Sequence, residues 1–287
     1  MTPAISIGAA LISATRLLEE AEVTASRLNA EVLLCHALGR ESSYLFAHPE
    51  ELLRELVWIH FGRYVHQRLR GKPTQYITQK QEFYGRDFRV SPAVLIPRPE
   101  TEHVVERVLA LNPQGPIADI GCGSGAIGLT LALELARPVL LTDISPTALA
   151  IASANARALG TTGVQFLECD LATALAPASL QLLVSNPPYI ALSEGPGLQK
   201  EVRDFEPALA LFGGERGDEV YARLIADARR VLQPGGWLVL ELGFGSEAAV
   251  REMLLPACWT EIEVQLDLAG IPRVISARLA QAQKKSP

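Results

Sequence analysis

The sequence has few of the residues that build disulfide frameworks and metal sites. Its cysteines are widely separated, and none belongs to a C-x-x-C pair or lies at ligand spacing from a histidine; they are Cys35, Cys122, Cys169 and Cys258. We therefore expect no metal site, and the spacing is typical of a reduced, cytoplasmic protein. All five histidines precede residue 104, so the later part of the chain has no histidine to serve as a general base.

Long hydrophobic runs are also missing. No run reaches the roughly 18 apolar residues of a membrane-spanning helix. The first residues are uncharged as far as Arg16 and lack the basic segment of a signal peptide, so we expect an amphipathic helix there and no membrane partner. The net charge of −6 comes entirely from residues 113–287, which argues against direct, nonspecific binding to nucleic acid.

The 287 residues, of which 48% are hydrophobic, suffice for one large domain or two smaller ones. Apolar residues recur at helical spacing within residues 1–72, which predicts a small helical domain. Residues 73–100 are rich in aromatic residues, β-branched residues and turn signals, and we predict a β-hairpin linker there. Residues 101–287 form the third predicted region.

From Gly115 onward, strand patterns alternate with helix patterns. Seven strands are predicted, at IADIG, PVLLTD, VQFLECD, LQLLVSN, GWLVLEL, EIEVQLD and RVISARL. Helices are predicted at residues 126–136, 146–160, 217–232 and 246–255. This order predicts an α/β fold with a parallel sheet covered on both faces. The last two strands leave no room for a helix between them, so we expect an antiparallel edge pair. The tail, residues 281–287, is expected to fray.

A glycine-rich loop, DIGCGSG, follows the first predicted strand. It contains Gly121, Cys122, Gly123, Ser124 and Gly125. Glycine permits unusual dihedral angles and a close approach of the backbone to a ligand. No Lys-Ser/Thr pair follows, which argues against a triphosphate-binding P-loop. Taken alone, the loop fits a tight turn as well as a cofactor site.

Two acidic residues follow the next two predicted strands. Asp143 is placed to accept hydrogen bonds from both hydroxyls of a ribose, as an acid does in nicotinamide dehydrogenases. Asp170, together with the backbone N–H of Leu171, suits the amino group and ring nitrogen of adenine. Either acid could instead cap a helix. Three successive strand ends that carry Gly, Asp and Asp favour an adenosine cofactor at the carboxyl edge of the sheet.

These residues resemble the S-adenosylmethionine-dependent methyltransferases of the seven-stranded Rossmann-like class. DIGCGSG matches their first motif, and the reversed final hairpin matches their fold. The resemblance implies S-adenosyl-L-methionine as the methyl donor and S-adenosyl-L-homocysteine as the product.

The fourth predicted strand ends in Asn186, Pro187, Pro188 and Tyr189. In this class of enzyme, N-P-P-Y marks methylation of a planar nitrogen whose lone pair is delocalised. We expect the Asn186 side-chain oxygen and the Pro187 carbonyl each to accept one N–H of that nitrogen, and Tyr189 to stack on the planar group. Asn186 is also expected to border the cofactor. Positioning of this kind needs no strong base.

The motif leaves two substrates open, adenine N6 in DNA or RNA and the side-chain amide of glutamine. The segment FRVSPAVLIPRPETEHVVE, residues 88–106, resembles the HemK/PrmC family of release factor glutamine methyltransferases. Residues 71–85, 203–225 and 268–279 also resemble that family. The resemblance implies a class I methyltransferase domain preceded by a helical domain and a hairpin linker. It implies N5-methylation of the glutamine in the Gly-Gly-Gln loop of peptide chain release factors; the alternative is an adenine N6-methyltransferase.

The resemblance also suggests roles for residues outside the methyltransferase motifs. The helical domain is expected to grip the release factor, and we expect a monomer. Arg98 and Thr101 lie where the family's linker approaches the cofactor and active site, although Arg98 could instead be structural and pair with an acid at the domain interface. Phe83 is expected either to wall the cofactor pocket or to belong to the core. Gln79 replaces the glycine that is usual in the family, which puts the shape of that turn in question.

A run of basic residues near the end of the helical domain could face an acidic partner, or could be an ordinary solvated surface. It comprises Arg54, Arg63, Arg68, Arg70 and Lys72.

Overall fold

The computed structural model describes residues 5–281, which divide into two compact units. The first unit contains the chain as far as Lys80 together with Gln199–Phe205; the second contains Gln81–Leu198 and the chain from Glu206 onward. Apart from Gln281, the tail expected to fray lies outside the described residues. The functional division predicted at residues 72 and 100 stays a prediction.

The described residues form the following α-helices: α1 Ile7–Glu20, α2 Ser26–Leu38, α3 Ser42–Ala47, α4 Glu55–Leu69, α5 Thr74–Thr78, α6 Glu102–Leu111, α7 Ala126–Leu135, α8 Pro146–Leu159, α9 Lys200–Phe205, α10 Ala208–Leu211, α11 Glu219–Val231 and α12 Glu247–Met253. They form the following strands: β1 Lys80–Phe83, β2 Arg86–Arg89, β3 Ile117–Ile120, β4 Val139–Asp143, β5 Val164–Glu168, β6 Leu180–Ser185, β7 Ile190–Ala191, β8 Phe212–Gly214, β9 Leu232–Glu241, β10 Trp259–Leu266 and β11 Pro272–Leu279. Along this part of the chain, no helix combines the length and hydropathy needed to cross a membrane.

The first unit is helical, as predicted. Helix α1 begins after Ser6, whose side chain accepts a hydrogen bond from the Ala9 N–H at 3.3 Å. Its buried residues recur every three or four positions, which confirms the amphipathic helix expected at the start of the chain; they are Ile7, Ala10, Leu11, Ala14 and Leu18. This face packs against buried residues of α2, α3 and α4.

Arg68 does not belong to an exposed basic face. Its side chain is 7% exposed, and its Nη2 lies 2.5 Å from Glu201 Oε2 of α9. Its Nε donates to Asn29 Oδ1 at 2.9 Å. Burying a guanidinium requires such partners, so the prediction was wrong for Arg68. Arg54, Arg63 and Arg70 are exposed, as a basic face would require.

The predicted hairpin covers less of the linker than the sequence suggested. Residues Thr74–Thr78 form helix α5, because the aromatic Tyr76 and the β-branched Ile77 are buried there and tertiary packing overrides their β propensity. Strands β1 and β2 form the hairpin that follows. Gln79 ends α5 in the left-handed conformation, with φ 60° and ψ 28°. The turn therefore keeps the geometry that favours glycine.

The second unit contains the predicted seven-stranded sheet, in the order β10-β11-β9-β6-β3-β4-β5. Strands β9, β6, β3, β4 and β5 run parallel, and β11 pairs antiparallel with both β9 and β10. The α/β fold class and the antiparallel edge pair are confirmed. All four predicted helices are present, as α7, α8, α11 and α12.

Buried clusters lie on the two faces of the sheet. One contains residues of α6, α7 and α8, and the other contains residues of α11 and α12. Helices α6, α9 and α10 and the two-stranded parallel sheet of β7 and β8 were not predicted from the sequence. Strands of two or three residues carry too little periodicity to be recognised.

Candidate active site

The sheet order brings the predicted site residues to one edge. Strands β6, β3, β4 and β5 are neighbours and parallel, so their carboxyl ends lie side by side. Asn186 follows β6, the glycine loop follows β3, Asp143 ends β4 and Asp170 follows β5. Ligands bind at this edge in open α/β sheets.

A cavity of about 290 Å³ opens at this edge. Most of the predicted residues line it, namely Gly121, Cys122, Gly123, Ser124, Asp143, Asp170, Leu171, Asn186 and Pro188. The remaining wall comes from residues that the sequence analysis did not select, chiefly Ala93, Val94, Leu95 and Pro97 before α6, and Pro207, Leu209, Ala210 and Phe212 around α10. The cavity is therefore a largely apolar slot with acids along one side.

The glycine loop has backbone angles that side chains rarely adopt. Gly121 has φ 70° and Gly123 has φ 54°, and a Cβ on either residue would meet nothing within 4 Å. This open space leaves room for a ligand close to the backbone. Gly125 does not line the cavity; it precedes α7 with φ 81°, and a Cβ there would lie 2.9 Å from Leu129 Cδ1.

Asp119 of β3 contacts the first turn of helix α7, which follows the glycine loop. It is fully buried, and its Oδ2 accepts a hydrogen bond from the Gly128 N–H at 2.8 Å. Its Oδ1 has no hydrogen-bond partner among the described residues. Burial raises the pKa of this carboxyl to about 7.

Asp143 is tied to the loop it faces. Its Oδ2 accepts from the Gly123 N–H and its Oδ1 from the Ser145 N–H, both at 2.9 Å. Burial raises its pKa, while these backbone hydrogen bonds act in the opposite direction. Each carboxylate oxygen keeps a further lone pair, so the side chain can still accept bonds from a ligand.

Asp170 is paired with a residue that the sequence analysis did not select. Its carboxylate forms an ion pair with Arg223 of α11, and both residues line the cavity. The adjacent Leu171 has φ 49°, and its carbonyl accepts a hydrogen bond from the buried Thr142 hydroxyl at 3.2 Å. This hydrogen bond supports the left-handed backbone at Leu171.

The Asn186 carboxamide is held from one side. Its Nδ2 donates to the Thr101 hydroxyl at 3.2 Å. The Thr101 hydroxyl in turn donates to the carboxylate of Glu241, and this bond acts to lower the pKa of Glu241. Thr101 is 4% exposed and Glu241 is 3% exposed. Burial nevertheless dominates and raises the pKa of Glu241 to about 7.

Pro187 and Tyr189 do not line the cavity. Pro187 is buried. The Tyr189 ring packs so closely on Gly243 that a Cβ there would lie 2.5 Å from Tyr189 Cδ2. Burial raises the pKa of Tyr189 to about 12, so its hydroxyl stays protonated near neutrality.

A buried asparagine, Asn155 of α8, connects the glycine loop to the hairpin. Its Nδ2 donates to the Ser124 carbonyl at 2.9 Å, and its Oδ1 accepts from the Arg89 N–H at 2.8 Å. The contact with Arg89 spans 66 residues, so no local pattern could have identified it.

The structure resolves the two alternatives that the sequence left for Phe83 and Arg98. Phe83 is 1% exposed and packs against Phe88 in the core. Arg98 Nη2 lies 2.5 Å from Glu206 Oε1, and Glu206 is buried. Phe83 is therefore a core residue and Arg98 pairs with a structural acid. Within residues 5–281, no three His, Cys, Asp or Glu side chains are grouped to hold a metal ion.

Comparison with solved structures shows the same fold. The fold is shared with a methyltransferase from Pyrococcus furiosus, with a TM-score of 0.53 and 17% identity over 69% of this chain and 91% of that chain. It is also shared with the catalytic domain of hMettl16 in complex with MAT2A 3'UTR hairpin 1, with a TM-score of 0.56 and 16% identity over 77% and 82% of the respective chains. Residues 101–198 match the methyltransferase small domain. The chain thus contains a Rossmann-like methyltransferase domain.

Comparison of sequences identifies the family. Residues 9–78 match the PrmC N-terminal domain. The chain is 46% identical to the release factor glutamine methyltransferase of Koribacter versatilis, over 93% of this chain and 96% of that protein. It is 45% identical to the protein of that name from Nitratidesulfovibrio vulgaris, over 92% of each chain. The chain belongs to the release factor glutamine methyltransferase family.

Proposed function

We propose that the protein transfers a methyl group from S-adenosyl-L-methionine to the N5 nitrogen of the glutamine in the Gly-Gly-Gln loop of peptide chain release factors. The observation that carries the proposal is the position of Asn186 and Pro188 in the wall of the same cavity as the glycine loop and Asp143. A methyl donor and an amide acceptor would meet there.

The cavity suits the proposed cofactor. The open space next to Gly121 and Gly123 can accommodate an extended part of the cofactor against the loop. The Asp143 carboxylate can accept hydrogen bonds from the ribose hydroxyls. Asp170 and Leu171 lie farther along the edge, where an adenine ring would lie. When bound, S-adenosyl-L-methionine supplies an electrophilic methyl group on sulfur.

The chain's own residues hold and orient the acceptor. In this proposal the Asn186 side-chain oxygen and the Pro187 carbonyl accept the two amide hydrogens. These bonds fix the plane of the amide, and the nitrogen lone pair then projects perpendicular to that plane. Pro187 cannot donate a competing hydrogen bond. Methyl transfer makes the amide nitrogen strongly acidic, so it loses one proton to water and no histidine base is needed. Orientation of this kind can contribute several kcal/mol to lowering the barrier.

Mass spectrometry of a release factor after incubation with the enzyme and cofactor tests the proposal. We expect one added methyl group, on the glutamine of the Gly-Gly-Gln loop. A release factor with Ala in place of that glutamine is the control and should gain none. Methylation of adenine in DNA or RNA, with the release factor unmodified, would overturn the proposal.

The helical unit would bind the body of the release factor, with Arg54, Arg63 and Arg70 available on its surface. A monomeric state and a cytoplasmic location stay predictions.

A further inference from the structure

We propose that Thr101 is a positioning residue, which holds the Asn186 carboxamide with its oxygen toward the substrate, and that Glu241 fixes the direction of the Thr101 hydroxyl. This inference rests on the proposed function, because it concerns how the acceptor amide is oriented.

An asparagine carboxamide can occupy its site in two orientations of nearly equal shape, and only its hydrogen-bond partners distinguish the oxygen from the nitrogen. Toward a substrate amide that donates two N–H groups, only the oxygen is useful. If the Asn186 nitrogen faced the substrate instead, the N–H donors of the two amides would face each other and could not form a hydrogen bond. A partner that accepts from the Asn186 nitrogen is therefore needed behind it.

The Thr101 hydroxyl alone could not select one orientation of the Asn186 carboxamide, because a hydroxyl both donates and accepts hydrogen bonds. Glu241 removes the ambiguity. An ionised carboxylate only accepts, so the Thr101 proton points at Glu241 and the Thr101 oxygen can only accept from Asn186 Nδ2, at 3.2 Å.

The three residues come from separate parts of the fold. Thr101 ends a short 3-10 helix, Pro99–Thr101, before α6; Asn186 follows β6; Glu241 ends β9, the neighbour of β6. Glu241 is held in place through its backbone carbonyl, which accepts from the Tyr221 hydroxyl at 2.8 Å. Its Oε2 has no hydrogen-bond partner among residues 5–281, so the carboxylate is not fully engaged by structural bonds.

The arrangement predicts a pH dependence. As the pH falls through the pKa of Glu241, about 7, the carboxyl gains a proton and no longer acts only as an acceptor. The charges that face it are Arg273 of β11 and Arg98, which favour its ionised form, and Glu100, which opposes it; the phenol of Tyr189 lies on the β6 side. Turnover at saturating cofactor should therefore fall on the acid side of neutrality.

The test compares Thr101→Val, which keeps the shape and removes the hydroxyl, with Thr101→Ser, which keeps the hydroxyl. Thr130→Val is the matched control, because Thr130 is fully buried in α7, its hydroxyl has no partner in the described chain, and it does not line the cavity. For each variant, kcat on a release factor, KM for the release factor and the calorimetric Kd for S-adenosyl-L-methionine are measured.

We expect Thr101→Val to lower kcat by at least about tenfold, with the cofactor Kd within about threefold, and Thr101→Ser to restore most of the loss. Thr130→Val should behave as the unmodified enzyme. Unchanged kcat in Thr101→Val, a loss confined to cofactor binding, or a Thr101→Ser variant as impaired as Thr101→Val would each overturn the inference.

Glu241→Gln provides a second measurement that does not depend on the folding of the threonine variants. A carboxamide both donates and accepts, and it does not titrate. We expect a lower kcat and the loss of the acid limb of the kcat profile. An acid limb identical to that of the unmodified enzyme would contradict the role of Glu241. Failure of the unmodified enzyme to methylate the release factor would instead overturn the proposed function.

Discussion

At the scale of single residues, the proposed function assigns cofactor binding and acceptor binding to different side chains. Asp143 touches the glycine loop through the Gly123 N–H, whereas the bonds of Asn186 run toward Thr101. Two substitutions should therefore affect different measured quantities.

Asn186→Ala should abolish most turnover and leave cofactor binding nearly intact. Loss of the carboxamide removes the acceptor that orients the substrate nitrogen, and misplacement of a reacting group costs on the order of 100-fold in rate. Single-turnover methyl transfer to a release factor measures the first effect, and calorimetry with S-adenosyl-L-methionine measures the second. Full activity would reject the role of Asn186.

Asp143→Ala should produce the opposite pattern. Removing the acceptor of the ribose hydroxyls should weaken cofactor binding by at least about tenfold, the value of one charged hydrogen bond. The same calorimetric titration reports it, and turnover should partly recover at high cofactor concentration. An unchanged Kd would contradict the assignment.

Asp119 makes the stability of the fold depend on pH. Its folded pKa of about 7 lies above the ordinary value of 3.8, so the folded state binds the proton more tightly. The free energy of unfolding should therefore fall, by up to a few kcal/mol, as the pH rises from about 4 to about 7.

In Asp119→Asn the free energy of unfolding should decrease less as the pH rises, because asparagine does not titrate. Urea unfolding at about pH 5 and about pH 8 measures the difference. Glu252→Gln, at an exposed position, is the matched control. Its free energy of unfolding should change with pH as steeply as that of the unmodified protein, and this change with pH is the slope compared below. Equal slopes in all three proteins would show that Asp119 does not titrate in this range. Some slope should persist in Asp119→Asn, because the buried Glu241 acts in the same direction.

At the scale of elements, the residue at the turn that ends α5 does not suit the backbone conformation of that turn. Gln79 adopts φ 60°, a conformation that costs an L-residue about 1–2 kcal/mol and costs glycine far less. The sequence alone could identify the unusual residue, but only the backbone shows that the turn kept its geometry.

Gln79→Gly should stabilise the first unit by about 0.5–1 kcal/mol, after allowance for the greater entropy of glycine in the unfolded chain. Gln75→Gly, one turn earlier within α5, is the matched control and should be destabilising by a similar amount. Denaturant unfolding followed by circular dichroism compares the two. A Gln79→Gly variant less stable than the unmodified protein would contradict the argument.

The functional residues at the strand ends could be predicted from the sequence, whereas most residues that form the walls of the cavity could not. Asp143 and Asp170 follow buried strands, and the alternation of strands and helices places those ends at one edge. Thr101 and Asn186 meet across 85 residues, and Ala93–Pro97 reach the cavity without any regular secondary structure. Contacts of that kind depend on the finished tertiary packing, so no pattern along the chain reports them.

At the scale of the whole molecule, the first compact unit is assembled from two stretches of sequence. Helix α9 belongs to it although it lies more than a hundred residues after α5. The link is specific, because Glu201 of α9 provides the carboxylate for the buried Arg68 of α4.

Glu201→Ala should weaken the first unit and leave the sheet unaffected. It leaves the Arg68 charge without its carboxylate, at a cost of about 1–3 kcal/mol. Native-state hydrogen exchange should show faster exchange in α2 and α4 and unchanged exchange in β3 and β6. Glu20→Ala, which removes the exposed Arg16–Glu20 pair of the same unit, is the control and should change little. Equal effects of the two substitutions would rule out a special role for Glu201.

The divided first unit has a consequence for the order in which the protein is completed on the ribosome. The nascent chain exposes α1 to α5 early, but the partner of Arg68 is synthesised only after roughly 120 more residues. At the 5–20 residues per second of translation, that delay lasts on the order of 6–25 s. During this interval the Arg68 guanidinium would lack its carboxylate partner, and nascent-chain chaperones could bind the helices already synthesised. An enzyme whose proposed substrate ends translation would thus have its own amino-terminal unit completed late in translation.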